Sequence, residues 1–424
     1  MNFGKKMPLK RLMPDFKKLT SEKLFWIIAF SFPLCLNAIN HWGSGLFASI
    51  FVLSLFLIEL KSPQLETHEK LLCLGFVIVL AATSLSLMNG QDLHRGLKRI
   101  GKLQYLILFI PVYIVMRKRD IDISTPFLYG IIVSGPTMMV ISVLQVFGSN
   151  LNRALGGYNE LVFGSVAMIF TMIVTAAIFT KHSSKTLKIL LGVSGFSTIY
   201  ACVLSGTRGA LIALPLVMVF QIAMLRASFQ KKSLYLLGMI LFISLSCAGS
   251  YFSHGMIRNR SFQAFQDLSQ FIDQSNKDTS VAWRLLMWED AIKIWKKHPF
   301  IGTGLGDFRN DVEEMMEKNE SDLSKSWKHA HNFYLEYLAT TGIVGFLATT
   351  LILLVWPFYL FHRKWKLYAG TNTDFASLAG MSTILTFSLI GVTWYWPARS
   401  PMVITYVFCL LIFLTASHIE RKNV

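Results

Sequence analysis

Long apolar runs recur through most of this sequence. Each is close to the ~20 residues that an α-helix needs to cross the hydrocarbon core of a bilayer. They lie at residues 24–40, 44–60, 71–88, 103–116, 126–147, 161–180, 187–204, 209–225, 234–252, 333–361, 375–396 and 400–416. With 53 % hydrophobic and 15 % charged residues, the chain of 424 residues is too apolar for a soluble domain of its size. The sequence therefore predicts an all-α integral membrane protein with about twelve transmembrane helices.

The distribution of lysine and arginine predicts the orientation of these helices. Short loops rich in basic residues mark the cytoplasmic side, and seven basic residues precede the first apolar run. No convincing cleavage site follows that run, so we expect it to be a retained helix. The predicted order is a cytoplasmic N-terminus over 1–23, nine helices over 24–252, a large outer loop over 253–330, three helices over 331–416 and a cytoplasmic C-terminus over 417–424.

Seven further basic residues lie in short outer connections, where only Asp92 and Glu160 oppose them. They are Arg95, Lys98, Arg99, Lys102, Arg153, Arg208 and Arg399. Basic residues are usually enriched in cytoplasmic loops and not in outer ones, so we expect these seven residues to bind a ligand. Arginine suits forked contact with phosphate, and a pyrophosphate at the membrane surface is a natural anion for such a group. The alternative is that each cation extends towards lipid headgroups.

The outer loop contains a predicted amphipathic helix over residues 279–298. Trp288 and Trp295 are seven residues apart, share one face and would suit the membrane interface. Arg284 lies in the first turn, where the helix dipole disfavours a cation, so it needs an anionic partner. That partner is either a ligand or an acid of the loop. The glycine-rich segment 302–306 lacks a preceding strand and a P-loop ending, and predicts a tight turn.

His329, His331 and Asn332 stand at the border where the polar loop meets the long apolar run. We expect His331 in the first turn of that helix, where the dipole disfavours protonation and keeps the imidazole able to accept a proton. The competing interpretation is a buried structural histidine. Asn332 is a candidate helix cap. Gly342 and Gly345 would permit close helix packing.

Three segments resemble a known family. His331-Asn332, nine residues, Gly342, two residues and Gly345 is similar to the His-Asn/Ser/Gln-x9-Gly-xx-Gly signature of bacterial O-antigen ligases. The Ser-Gly-Thr-Arg208-Gly and Trp-Pro-Ala-Arg399-Ser turns also resemble ligase positions. The resemblance implies a GT-C-like glycosyltransferase in the inner membrane of a Gram-negative bacterium, with the large loop and the active site facing the periplasm. The implied reaction moves a polysaccharide from undecaprenyl pyrophosphate to the lipid A core, with inversion and without metal or ATP.

Carried onto this sequence, the resemblance implies that His331 positions or deprotonates the acceptor hydroxyl. Arg208 and Arg284 are the other implied catalytic residues, and the expected substrate-binding residues are Arg399, Arg153, Arg95, Arg99, His329 and Asn332. We expect no cofactor and no catalytic metal. The Asp120-Ile-Asp122 motif lies in a predicted cytoplasmic loop, where solvated charges explain it. The expected partners are the lipid-linked donor, the lipid A-core acceptor and membrane lipids, with no nucleic acid.

Three other functions stay open. An O-antigen polymerase uses a growing glycan as acceptor, and a protein O-oligosaccharyltransferase uses a serine or threonine. A transporter of lipid-linked glycans belongs to a different class. Carriers usually place ionisable residues near the bilayer midplane, whereas the charges of this chain gather at the outer surface.

Overall fold

A computed structural model describes residues 12–58, 65–180, 184–253, 278–367 and 373–422. Residues 1–11 of the predicted basic N-terminus and residues 254–277 of the predicted outer loop lie outside the described residues. Across the described ranges the chain is helical and contains no strand. This confirms the predicted all-α class.

Sixteen α-helices make up the described chain. They are α1 Leu12–Ala38, α2 Trp42–Leu57, α3 Thr67–Leu85, α4 Leu93–Leu103, α5 Tyr105–Arg119, α6 Ser124–Val143, α7 Glu160–Thr180, α8 Lys185–Ser205, α9 Arg208–Met224, α10 Phe229–Ser253, α11 Ser280–Lys297, α12 Phe308–Glu317, α13 Phe333–Thr350, α14 Trp356–Leu367, α15 Thr373–Thr393 and α16 Ser400–Lys422. A π-helical turn at Leu351–Val355 joins α13 to α14.

Helical residues lie within each of the twelve predicted apolar runs. Eight helical stretches of the described chain are long and apolar enough to cross a membrane: Thr67–Asn89, Leu93–Arg119, Ser124–Gly148, Glu160–Thr180, Lys185–Ser205, Phe333–Leu367, Asp374–Thr393 and Ser400–His418. The apolar helices α2 and α9 are shorter. These features support an integral membrane protein, while the number of spans and their orientation stay predictions.

Two boundaries differ from the predicted ones. Helix α1 begins at Leu12, inside the segment that we expected to precede the first helix. The predicted short run 103–116 is the second part of a longer helical stretch, Leu93–Arg119. Its first part, α4, carries basic residues on one face, so an apolar-run criterion finds only the second part.

The innermost helices are α16, α7 and α15. In the apolar window of α16, 94 % of the residues are buried, compared with 39 % for α3. Stacked aromatic rings join α16 to its neighbours, as where Phe408 lies 3.9 Å from Phe32 of α1. Because α16 is apolar on every side, it fills the centre of the helix assembly.

One buried charge cluster ties α3, α5 and α14 together at the end of these helices remote from the outer loop. The Glu69 carboxylate accepts hydrogen bonds from Arg117 Nε at 3.0 Å and Nη2 at 2.8 Å. It also accepts one from the Tyr113 hydroxyl at 2.7 Å, and Lys364 Nζ lies 3.8 Å away. Arg117 lies in α5 just before the predicted solvated loop at Asp120-Ile-Asp122, yet it is buried because Glu69 reaches it from α3.

The outer part of the chain has a small core of its own, formed where α11 and α12 pack against the start of α13. Its buried residues are Leu286, Met287, Ala291, Ile294, Phe308, Val312, Met315, Leu323, Ala330 and Ala339. The predicted α11 is therefore present, and the Thr279 side chain caps it by accepting from the Ala282 N–H at 3.2 Å. Trp288 packs against this core. Its expected place, with Trp295, at the membrane interface stays a prediction.

The predicted glycine turn docks on α13. Gly302 has a φ of +70°, and a Cβ there would lie 2.3 Å from the Thr340 carbonyl carbon. Gly342 has φ 61° and ψ −168°, which interrupts the helix, and its Cβ would lie 2.3 Å from the Phe300 carbonyl group. Gly342 thus allows the loop at Phe300 to pack closely against α13. The sequence had suggested that a second helix would pack there. The tight turn itself is confirmed.

We expect Glu69→Gln to lower the midpoint of thermal unfolding in detergent. Removing one partner leaves the Arg117 charge buried without a counter-charge, which costs about 3–5 kcal/mol. Glu289→Gln is the matched control, because its pair with Lys293 at 2.9 Å is exposed on α11 and should change the midpoint little. Equal midpoints for Glu69→Gln and the wild type would contradict a stabilising role for this cluster.

Candidate active site

The two histidines lie in the segment that leads into α13. Asn332 is the N-cap, and its Oδ1 accepts from the N–H groups of Tyr334 at 2.9 Å and Leu335 at 3.1 Å. His331 therefore precedes the helix and has a left-handed φ of 51°. The expectation that His331 lies in the first helical turn is wrong, because the asparagine beside it is the stronger cap.

Glu336 holds this segment from inside α13. Its side chain is buried, and Oε2 accepts a hydrogen bond from the Ala330 N–H at 2.7 Å. Since Ala330 stands between the two histidines, this contact fixes the backbone that carries both rings. Sequence spacing left open whether Glu336 is a solvated interfacial residue, and its burial excludes that interpretation.

The imidazoles of His329 and His331 contact each other, with ring centroids 4.2 Å apart. The His331 N–H donates to His329 Nδ1 at 3.3 Å, so a neutral His329 carries its proton on Nε2. Burial lowers the pKa of His331 to about 4, and the nearby positive charge of Arg284 contributes. Burial and the surrounding positive charges also hold the pKa of His329 well below its usual value. Both rings are therefore neutral at pH 7.

Arg284 lies near His331, and Arg153 and Arg208 lie near enough to Arg284 for their positive charges to act on it. We call Arg153, Arg208 and Arg284 the arginine cluster. Burial lowers the pKa of Arg284, and the positive charges of Arg208 and Arg153 lower it further. Arg153 lies 3.6 Å from Glu160. No described carboxylate pairs with Arg284, so the alternative of a salt bridge to a described acid of the loop is excluded. An electropositive site thus borders the His331 imidazole.

A rigid turn sets the position of Arg208 at the start of α9. Gly206 ends α8 with a φ of 68°. The Thr207 hydroxyl donates to the Glu160 carbonyl at 2.8 Å, which ties the turn to α7. On the other side, a Cβ at Gly209 would lie 1.9 Å from the Thr393 hydroxyl oxygen of α15. Close packing on both sides explains the two glycines that flank Thr207-Arg208.

A second group of cations forms a cavity of about 390 Å³ next to His329, which we call the basic pocket. It is lined by Arg95, Lys98, Arg99, Lys102, Arg309, Lys328, His329, Ala398 and Arg399. Arg95 pairs with Asp92 at 3.0 Å, and Arg309 pairs with Glu313 at 2.9 Å. The other five cations, Lys98, Arg99, Lys102, Lys328 and Arg399, form no ion pair with a carboxylate of the described chain.

Two contacts hold the Arg99 side chain in the basic pocket. Its Nη2 donates to the Lys328 carbonyl at 2.9 Å, and its guanidinium lies 5.2 Å from the centre of the Tyr395 ring. Its Nη1 is buried without a hydrogen-bond partner among the described residues. Lys102 Nζ donates to the Ala398 carbonyl at 2.5 Å, which joins α4 to the Arg399 turn.

The predicted site residues thus fall into two adjacent groups. Arg153, Arg208 and Arg284 accompany His331, whereas Arg95, Arg99 and Arg399 accompany His329. The predicted site residues lack Lys328, Arg309 and Tyr395, and no anchoring role was predicted for Glu336. Lys98 and Lys102 were predicted as outer cations but not as site residues. Their spacing was the missed signal, since residues 95, 98, 99 and 102 share one helical face.

Acidic groups near the site contact protein donors. Asp307 accepts from the N–H groups of Gln91 at 2.6 Å and Asp92 at 3.1 Å, and Asp311 accepts from the Thr303 hydroxyl at 2.6 Å. Within the described ranges, no three histidine, cysteine, aspartate or glutamate residues form a group that could hold a metal ion.

Comparison with known proteins adds a family match. The sequence model of the O-antigen ligase family matches residues 193–350, which include Arg208, Arg284 and His331. A protein of Haemophilus influenzae, described as uncharacterized, is 27 % identical over 313 residues, which make up 72 % of this chain and 76 % of that protein. The family match confirms the resemblance that the sequence motifs suggested.

We expect the His331 imidazole to stay neutral down to about pH 5, because its pKa is about 4. Titration by NMR of protein labelled with ¹⁵N-histidine would measure this, with His331→Asn to assign the signal. Arg284→Gln should raise the pKa towards the ordinary value of 6.5 by removing the adjacent positive charge. A wild-type midpoint near 6.5 would contradict the buried, electropositive environment.

Proposed function

We propose that this chain is an O-antigen ligase, because the sequence model of that family matches residues 193–350. It transfers a polysaccharide from undecaprenyl pyrophosphate to the lipid A-core oligosaccharide at the periplasmic face of a bacterial inner membrane. In this proposal the chain has twelve spans and a GT-C-like architecture. The observation that carries the proposal is a neutral His331 beside Arg284 of the arginine cluster.

The arginine cluster suits the pyrophosphate of the donor. Guanidinium groups make forked hydrogen bonds to phosphate oxygens, and Arg208 and Arg284 lie close enough to influence each other's ionisation. Bringing such groups together costs repulsion, which a bound dianion relieves. As the bond between the sugar and the pyrophosphate breaks, negative charge grows on the leaving oxygen, where these arginines stabilise it.

His331 supplies the proton acceptor on the other side of the reacting carbon. An acceptor hydroxyl attacks the anomeric carbon, its proton passes to the imidazole, and the electron pair of the broken bond leaves with the pyrophosphate. A single displacement of this kind inverts the anomeric configuration. The free imidazole is a weak base because of burial and Arg284. Pyrophosphate bound to the arginine cluster offsets that positive charge and raises the pKa of His331, so the base strengthens in the donor complex.

The surrounding contacts keep the His331 ring in position. Asn332 caps α13, Glu336 holds the Ala330 N–H, and His329 accepts from the His331 backbone. A base that is fixed before the substrates arrive avoids reorganisation during the reaction. We therefore assign His331 the catalytic role, and Asn332, Glu336 and His329 positioning roles.

The decisive experiment measures glycan transfer from undecaprenyl pyrophosphate to purified lipid A core by reconstituted protein, in EDTA and without nucleotide. We expect His331→Ala to lower the transfer rate by about 10²-fold or more, the usual effect of losing a general base. His298→Ala is the matched control, since His298 is exposed at the end of α11 and should retain wild-type transfer. Equal activity of His331→Ala and the wild type would remove the central assignment.

Other products would redirect the assignment. Glycan lengthening on a second lipid-linked chain, with no transfer to lipid A core, would indicate the polymerase. Transfer to a peptide hydroxyl would indicate protein glycosylation. Movement of labelled lipid-linked glycan across vesicle membranes without transfer would indicate a transporter.

A second test concerns the leaving group. We expect Arg284→Ala and Arg208→Ala to lower the transfer rate by about 10²- to 10³-fold, as observed when one stabilising donor is removed from an anionic transition state. Lysine at either position should restore part of the rate if charge alone suffices, whereas a forked contact would leave lysine inactive. Lys296→Ala removes an exposed cation from the same α11 and should match the wild type. Wild-type rates for both arginine variants would exclude the arginine cluster as the donor site.

A further inference from the structure

We propose that the basic pocket binds phosphate or carboxylate groups of the acceptor saccharide, so that the acceptor must be anionic to be recognised. This inference rests on the proposed function, because it assigns the second of the two substrates. It separates the predicted binding residues by substrate. The arginine cluster takes the donor pyrophosphate, and the basic pocket takes the acceptor.

The arginine cluster and the basic pocket meet at the two histidines. His329 lines the basic pocket, and His331 adjoins Arg284 of the arginine cluster. The two rings are 4.2 Å apart, so both cation groups border one small centre. A transfer reaction needs two substrates to meet at such a centre, one from each side.

The arginine cluster and the basic pocket carry more positive charge than one donor neutralises. A sugar-linked pyrophosphate brings two negative charges, and the arginine cluster carries three guanidinium groups, one of them 3.6 Å from Glu160. In the basic pocket, five more cations lack a carboxylate partner among the described residues. Cations around one cavity repel one another, and a bound anion relieves that repulsion. The donor does not neutralise these five charges, so a second anionic group suits the basic pocket.

The size of the basic pocket and the fixed position of Arg99 suit a charged sugar. A cavity of about 390 Å³ accommodates a sugar unit that carries charged substituents. Arg99 is held by Lys328 and Tyr395, so its guanidinium is oriented before a ligand binds. Its buried Nη1 has no hydrogen-bond partner among the described residues. The side chains of Lys98, Lys328 and Arg399 are exposed in the same pocket. They can therefore contact anionic groups at different positions on a saccharide.

The same chemistry could come from an anionic phospholipid headgroup, and the test separates the two sources. Binding of soluble core oligosaccharide would be measured on the whole protein in nanodiscs of phosphatidylcholine, and again with phosphatidylglycerol added. We expect saturable binding in both lipids and at least tenfold weaker binding after the phosphates of the oligosaccharide are removed. Equal binding of both oligosaccharides, or loss of binding when phosphatidylglycerol is present, would overturn the inference.

Steady-state transfer then tests the residues. Lys98→Gln/Arg399→Gln changes two exposed side chains and should raise the KM for the phosphorylated acceptor about tenfold or more, with the KM for the donor unchanged. Removing the acceptor phosphates should reduce wild-type efficiency by a similar factor and cause little further loss in the double variant. Lys296→Gln, outside the pocket, should behave as the wild type. Independent, additive losses would overturn the inference.

The two proposals fail in different ways. If the wild type binds the phosphorylated oligosaccharide but transfers no glycan, the ligase assignment fails and the anion site stands. If the wild type transfers glycan equally well to phosphorylated and dephosphorylated acceptors, the ligase assignment stands and the anion site fails.

Discussion

The geometry of the site depends on one hydrogen bond, from the Ala330 N–H to the buried Glu336 carboxylate at 2.7 Å. Burying a carboxylate is unfavourable unless it gains such a donor, so the contact strongly restrains where the segment can lie. Ala330 separates the two histidines, and each histidine borders a different cation group. This backbone contact therefore holds the segment whose two imidazole rings lie between the arginine cluster and the basic pocket.

The same alanine is also held by apolar packing. Ala330 belongs to the small core that α11 and α12 form with the start of α13. Arg284 projects from α11 and Arg309 from α12, so the helices that build this core also deliver cations to the site. The same helix contacts therefore pack the outer segment and position its charged side chains. This explains why a loop between membrane helices contains a core of its own.

Local structure could be predicted from the sequence, whereas tertiary contacts could not. Apolar runs predicted the helices, and Asn332 was predicted as a helix cap because capping depends on adjacent residues. Burial of Arg117 could not be predicted, since its partner Glu69 is 48 positions away. The cations were predicted as one group, yet they form two. That division depends on how α4 and the Arg399 turn pack beside His329, which no local pattern specifies.

The positive surroundings of His331 give the proposed reaction an order. Without donor, burial and Arg284 keep the pKa of the imidazole at about 4, so it attracts an acceptor proton only weakly. Bound pyrophosphate supplies the opposite charge and strengthens the base at the moment when a leaving group is present. Water that enters the empty site meets a poor base and no activated sugar. In the proposed reaction, proton acceptance is in this way coupled to donor binding through electrostatics.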